Sequence, residues 1–482
     1  MSNEAISENI LIREYTKELH SRNAAIFIGA GLSVGAGYVD WHGLLSELIV
    51  DLGLDPKDEQ DLITVAQYHC NQSGGRGALT KLIFDKFSEL RTPTQNHDLL
   101  ASLPINTYWT TNYDRLIERA LEKAKKIPDA KYTQQQLAVT KFERDAAIYK
   151  MHGDIEHADS AVISKDDYES YFTSRPGFIT ALKGDLVEKT FLFLGLSFTD
   201  PNIDYILSRV RIDYGSSLRT HYCILRKAKQ GTSETTESFQ RRELKQHYFI
   251  RDLKRFGIQT VLVDEYSDIT RLLSEIARSF KRSSIFISGA AADYGTMSPS
   301  NAGQFIHSLA HALAAKKNRI ITGFGWGVGS AVINGALQYL HEAGRTISDS
   351  DILMRPFPQV STGAVSLAAE WTSYREQMIG HAGIAIFIFG NKLDPDGNII
   401  PSNGIKEEFE LCRRAGVSLI AIGSTGFIAK ELWDTIMADF EAFYPAKSAE
   451  FKSEFEKLGD ANLSQADLIE SIVKIVKEIQ RS

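Results

Sequence analysis

The sequence predicts an α/β protein of two domains, each built on a mainly parallel sheet. Three observations carry that expectation. Strand-like apolar runs alternate with helix-like segments almost throughout. The alternation breaks at a polar stretch, KRSS at 281–284, and then restarts. A chain of 482 residues also exceeds what one ordinary core holds. The expected domains are residues 1–283 and 284–482.

The first domain opens on an amphipathic helix with Ile12, Tyr15 and Leu19 near one face. Strands follow at 24–29, 107–112, 146–153, 190–197, 221–225 and 258–264, and a helix at 267–280 leads out. In the second domain, strands are expected at 284–291, from Asn318 into a glycine run, at 383–392 and at 418–424. The most loop-like stretch is GTSETTES at 231–238.

Composition narrows the class. Hydrophobic residues make up 43% and charged residues 24%, as in a globular protein. The net charge of -7 argues against broad binding to nucleic acid or to an anionic membrane. No apolar run approaches the roughly 20 residues that span a bilayer. The N-terminus lacks the layout of a signal peptide, so a cytoplasmic location is expected. Cys70, Cys223 and Cys412 are far apart, too few for a four-cysteine zinc site and unsuited to a disulfide scaffold. His307 and His311 stand at i, i+4, but no third ligand is evident, and they read as ordinary helix residues. No metal is expected.

The stretch AAIFIGAGLSVGAGYVDW, 24–41, admits two chemistries. A strand running into glycines brings backbone close to a phosphate, or simply permits a tight turn. Within it, Gly31 to Gly35 spells G-x-S-x-G, which would make Ser33 a nucleophile. That elbow sits mid-domain, after several strands, whereas only a helix precedes this one. Further strands end in TTNYD (110–114), KMHGD (150–154) and FLGLSFTDPN (193–202). The C-terminal edge of a parallel sheet is where ligands bind. Gly31, Asn112, His152 and Ser197 are thus expected on one rim, which favours the nucleotide reading.

These motifs carry a resemblance. Gly29-Ala30-Gly31-Leu32-Ser33 with Gly37-Tyr38-Val39-Asp40-Trp41 resembles the G-A-G-I-S and G-I-P-D-F of sirtuins. Thr111-Asn112-Tyr113-Asp114 resembles their Q-N-I-D, His152-Gly153 their H-G, and Gly195-Leu196-Ser197 their G-T-S. The resemblance covers about residues 5–280. It implies a Rossmann-like, NAD-binding domain. Gly29, Ala30, Gly31 and Ser33 would meet the pyrophosphate, Asn112 and Asp114 the ribose, and Ser197 the adenosine side. Asp40 and Gly195 are carried over as NAD-binding, and Asn112 and His152 as catalytic, His152 being the base. One departure matters: no cysteine lies between His152 and Gly195, where protein-deacylating sirtuins usually insert their zinc module. Water then replaces acyl-lysine as acceptor, and the products are nicotinamide and ADP-ribose.

In the second half, Gly323, Gly325, Gly327 and Gly329 alternate and can present amides to an anion. Arg375 and Lys392 suit phosphates, and Glu407 suits a ribose or base. This arrangement resembles a SLOG domain. A sirtuin-like domain followed by a SLOG domain is similar to the effector family of Thoeris antiphage systems, over nearly the full chain. The resemblance implies activation by a cyclic ADP-ribose isomer made by a TIR-domain partner. It also implies a homo-oligomer, tetramer or larger. Gly289, Arg375, Lys392 and Glu407 are carried over as signal-binding. The alternatives are an NAD-dependent protein deacylase without the zinc module and a non-enzymatic nucleotide-binding module.

Overall fold

A computed structural model describes residues 4–232, 234–358 and 366–481. The chain forms two compact units, one ending at Ala277 and one beginning at Arg278. Among the described residues no helix is long and apolar enough to cross a membrane.

The first unit carries β1 (Ala24–Ile28), β2 (Thr107–Thr110), β3 (Pro128–Lys131), β4 (Ala146–Lys150), β5 (Thr190–Leu194), β6 (His221–Arg226) and β7 (Ile258–Val263). They pair in the order β3-β4-β2-β1-β5-β6-β7, and every pairing is parallel. Every residue of β1 and β5 is buried, which is why these strands read as continuous apolar runs rather than alternating ones. From β1 the chain lays β2 on one side and β5 on the other, so the crossover direction reverses at β1. A crevice opens at such a switch point, beyond the strand C-termini. The N-terminal helix, Glu8–His20, buries Leu11, Tyr15 and Leu19, while Ile12 is only half-buried. Tyr15 Oη donates to the Ala25 carbonyl at 2.8 Å and fixes this helix against β1.

The helices Trp41–Asp51, Leu62–Ser73 and Gly77–Phe87 fill the path from β1 to β2. Their apolar faces form a cluster with Tyr113 and Ala161 from the loops after β2 and β4. A helical cap is thereby seated on the rim.

The second unit carries β8 (Ser284–Ala290), β9 (Arg319–Thr322), β10 (Ile352–Met354), β11 (Ile384–Phe389) and β14 (Ser418–Ala421) in the parallel order β10-β9-β8-β11-β14. β12 (Asn391–Leu393) and β13 (Ile399–Pro401) form a separate antiparallel hairpin. The single strand expected at 383–392 is therefore two. Phe389 and Gly390 take φ of 55° and 116°, and the chain turns out of the sheet there. The strands expected at 107–112, 146–153 and 190–197 end two or three residues early, at Thr110, Lys150 and Leu194. Asn112, His152 and Ser197 consequently stand on loops just past the sheet edge. β3 and β10 were not expected: Pro-Asp-Ala-Lys has no apolar run, and Ile352–Met354 is three residues long.

Candidate active site

The loops after β1 and β5 touch backbone to backbone. The amides of Gly29 and Gly31 donate to the carbonyls of Leu194 and Gly195 at 2.9 and 3.0 Å. A Cβ on Gly29 would lie 2.4 Å from the Gly195 oxygen, and one on Gly195 (φ 65°) would lie 2.4 Å from the Leu32 nitrogen. The Gly29 and Gly31 amides are thus taken by the end of β5 and the loop after it, and these glycines provide close approach.

Within this frame Ser33, Asn112 and Asp114 form a buried trio. Ser33 Oγ donates to Asp114 Oδ2 at 2.7 Å. Asn112 Nδ2 donates to Ser33 Oγ at 3.0 Å and to the Gly29 carbonyl at 3.2 Å. The Thr110 hydroxyl accepts from the Asn112 amide, and Asp114 Oδ1 accepts from the Leu116 amide. With both Nδ2 protons committed, Asn112 Oδ1 faces inward, buried and without a partner. The proton of Ser33 goes to a carboxylate, not to an imidazole, so the nucleophile reading of G-x-S-x-G lacks its base.

His152, 1% exposed, follows β4, the neighbour of β2. Nδ1 has no hydrogen-bond partner, and Nε2 lies 3.2 Å from Asp200 Oδ2. Burial pushes the imidazole below its ordinary range; Asp200 opposes that shift and Arg175 adds to it. Beneath the site Lys150 is completely buried. Its ammonium donates to the carbonyls of Tyr113 (3.2 Å) and Asp114 (2.6 Å), to Glu118 Oε1 (3.1 Å) and to Asp154. Burial alone would lower Lys150, but Glu118 and Asp154 outweigh it and hold the group above its usual range. One side chain thus ties the loop that carries Asn112 to the end of β4 and the loop after it that carries His152.

A small pocket is lined by Ala30, Ser33, Asp40, Trp41, Asn112 and Asp114. Asp40 reaches it while capping the helix Trp41–Asp51, where Oδ1 accepts from the Gly43 amide at 2.8 Å. Ser197 is exposed and bonds Thr199 at 2.8 Å, at the β5 end of the rim and away from the trio. The sequence singled out neither Lys150 nor Asp200. The signal for Asp200 was its place before Pro201, an N-cap preceding a proline at the first helical position.

In the second unit Arg375 is almost buried. Its Nη1 meets Glu407 Oε2 at 2.8 Å and its Nε meets Glu408 Oε1 at 3.3 Å. Glu408 Oε2 accepts from Ser288 at the end of β8, at 2.6 Å. Burial pushes the Glu408 carboxyl up, against the pull of Ser288 and Arg375. The guanidinium also lies over the Phe357 ring, 5.1 Å from its centroid. Lys392 stands exposed on β12. Gly289 is a packing glycine, since a Cβ there would lie 2.6 Å from Ile388 and one on Gly325 would lie 1.9 Å from the Gly289 oxygen. The amides of Phe324, Val328 and Gly329 bond internally. The glycine run is therefore a close-packed turn first, which narrows the set of amides it can offer to an anion.

Two family matches follow this division. The SIR2-like domain matches residues 106–253, and the Sir2- and TIR-associating SLOG family matches residues 268–479. The chain is 46% identical to NAD(+) hydrolase ThsA of Bacillus cereus (strain MSX-D12), over 97% of this chain and 98% of that protein. The chain belongs to the NAD(+) hydrolase ThsA family. The ThsA of Acinetobacter baumannii (strain 532279) is 43% identical over 98% of this chain and 99% of its own. Outside the ThsA proteins, Defense-associated sirtuin 2 of Bacillus subtilis is 26% identical over 42% of this chain and 20% of its own.

Proposed function

We propose that the β1–β2–β4–β5 rim hydrolyses NAD to nicotinamide and ADP-ribose, with Asn112 and His152 as the catalytic pair. Membership of the ThsA family makes the chain an NAD(+) hydrolase. One observation carries the assignment to residues: Asn112 Oδ1 and His152 Nδ1 are buried polar atoms without partners, just past adjacent strand ends. Buried polar atoms are normally satisfied, so two left open past neighbouring strands, with Asn112 lining the pocket, are atoms available to a ligand.

The chemistry asks little more. Nicotinamide leaves as a neutral base from a cationic pyridinium, through an oxocarbenium-like transition state. Asn112 Oδ1 accepts a hydrogen bond from a ribose hydroxyl or the attacking water and brings no charge of its own. His152 accepts a proton from the same group, as a neutral buried imidazole can. Water adds to the anomeric carbon as the nicotinamide bond breaks, and one proton is released. On this reading no metal takes part, and a strong chelator leaves turnover unchanged.

The second unit is the sensor in the same proposal. An anionic nucleotide competes with Glu407 for Arg375, and the freed Glu407 accepts from the ligand. The ligand class is a cyclic ADP-ribose isomer, supplied by a TIR-domain partner. Support comes from the Sir2- and TIR-associating SLOG match and from the cation and carboxylate held together near the end of β8. Loss of NAD in a homo-oligomer would make the protein an antiphage effector.

The test is to incubate the purified full chain with NAD, with and without cyclic ADP-ribose isomers, and to follow nicotinamide. Equal release of nicotinamide and ADP-ribose, raised by one isomer, is expected. Release that depends on an acyl-lysine peptide would favour a deacylase. NAD binding without release under every condition would favour a non-enzymatic module.

A further inference from the structure

We infer that Asp200 is a positioning residue for His152, holding the ring in one orientation and balancing the charge it gains during NAD cleavage. The inference rests on the reading of His152 as the base and adds to it the group behind the base. Asp200 is the N-cap of the helix Pro201–Tyr214. Its Oδ1 accepts from the amides of Asn202 and Ile203, both at 3.0 Å, so the helix itself fixes the carboxylate. Capping requires only that oxygen. The other, Oδ2, accepts from Tyr168 Oη at 2.9 Å and lies 3.2 Å from His152 Nε2. Two rings wall the imidazole edge to face: Tyr168 at 5.5 Å between centroids and 81°, Tyr171 at 6.3 Å and 75°. Tyr171 is anchored in turn by its hydroxyl, which donates to the Met151 carbonyl at 3.0 Å.

A carboxylate facing Nε2 selects the tautomer that carries its proton there. Nδ1, buried and without a partner, is then left as the lone pair for substrate. When Nδ1 takes the proton of the ribose hydroxyl or water, the ring becomes an imidazolium with N–H on both sides. The Nε2–H then donates to Asp200, which stays ionised, and the proton leaves His152 for solvent as product departs. The other groups acting on the ring are Tyr168 and Tyr171, neutral at physiological pH, with Arg175 and Asp167 at longer range. Asp200 is the negative group that pulls His152 up most strongly against burial.

The test is Asp200→Asn in the full chain, because Asn caps helices as well as Asp while it removes the charge and puts an amide donor where Oδ2 accepted. Asp200→Ser, a second uncharged cap, is the parallel variant. Both should keep the wild-type thermal midpoint within a few degrees and show kcat lowered roughly 10- to 100-fold, less than the roughly 10²–10⁴ that general-base catalysis as a whole contributes. The acidic limb of the pH profile should move to lower pH by on the order of one unit, since a carboxylate that stabilised the imidazolium is gone. In a His152→Ala background, Asp200→Asn should slow the residual reaction no further. Wild-type rates and an unmoved acidic limb in both variants, beside a disabled His152→Ala, would overturn the role of Asp200 alone. Losses that add fully to those of His152→Ala would overturn it too. Normal turnover in His152→Ala would instead remove the underlying reading of His152.

Discussion

Ser33 separates the two chemistries that the opening glycine loop admits. In the structure its hydroxyl sits between the Asn112 amide and the Asp114 carboxylate. Removing it should loosen Asn112 and no more. Ser33→Ala is expected to lower NAD turnover by about tenfold, the worth of one hydrogen bond of ~1.4 kcal/mol. A nucleophile deleted from its triad loses on the order of 10⁶, so a dead Ser33→Ala would restore the hydrolase elbow. A second residue-scale prediction concerns His221. Its Nδ1 accepts from the Phe191 amide at 3.2 Å, a bond that a protonated ring cannot accept. Burial, with Arg219, pushes this imidazole down to about 3. The unfolded chain takes up a proton near pH 6.5 that the folded chain refuses. Stability is therefore full above that pH and falls as pH drops toward 3. At pH 5 the loss from this one group is about 2 kcal/mol. Urea unfolding should show that slope, and His221→Asn, which keeps an acceptor without the titration, should flatten it. An unchanged slope would mean the ring is protonated in the fold.

At the scale of elements, the site depends on two loops meeting where only glycine fits. Gly195→Ala places a methyl 2.4 Å from the Leu32 nitrogen at φ 65°. The backbone term alone is about 1–2 kcal/mol. The variant should lose thermal stability and NAD turnover together, and a variant that keeps both would show that the loops can separate freely. The same elements show what the sequence could reveal. The strands β1, β2, β4 and β5 were legible as apolar runs followed by a polar motif, though β2, β4 and β5 end two or three residues before the sequence suggested. β3 was not legible, since PDAK pairs with β4 at the sheet edge without an apolar signature of its own. Nor could the sequence show that the Gly29 and Gly31 amides serve the β5 loop, or that Asp200, 48 positions after His152, comes to lie 3.2 Å from its ring. Such contacts belong to tertiary packing. The pairing of Arg375 with Glu407 and Glu408 was hidden for another reason: each charge alone reads as a solvated surface position.

For the whole molecule, that pairing changes how the sensor must be probed. Arg375→Ala removes the cation and also strands Glu408, held otherwise by Ser288. Breaking a buried pair from one side is destabilising by about 3–5 kcal/mol. Arg375→Ala should therefore lower the melting temperature as well as blunt activation by cyclic ADP-ribose isomers. Adding Glu408→Gln should restore the melting temperature and leave activation blunted. Recovery of both would take Arg375 out of signal binding. The central claim lies upstream of any signal: one rim, four strand ends, an amide and an imidazole hydrolyse NAD. Its most direct test is nicotinamide release from NAD by the wild-type full chain, by Asn112→Ala and by His152→Ala, with melting temperatures taken alongside. Each variant should fold as wild type and lose roughly 10²–10⁴ in turnover. A well-folded variant of either kind that releases nicotinamide at the wild-type rate would contradict the account.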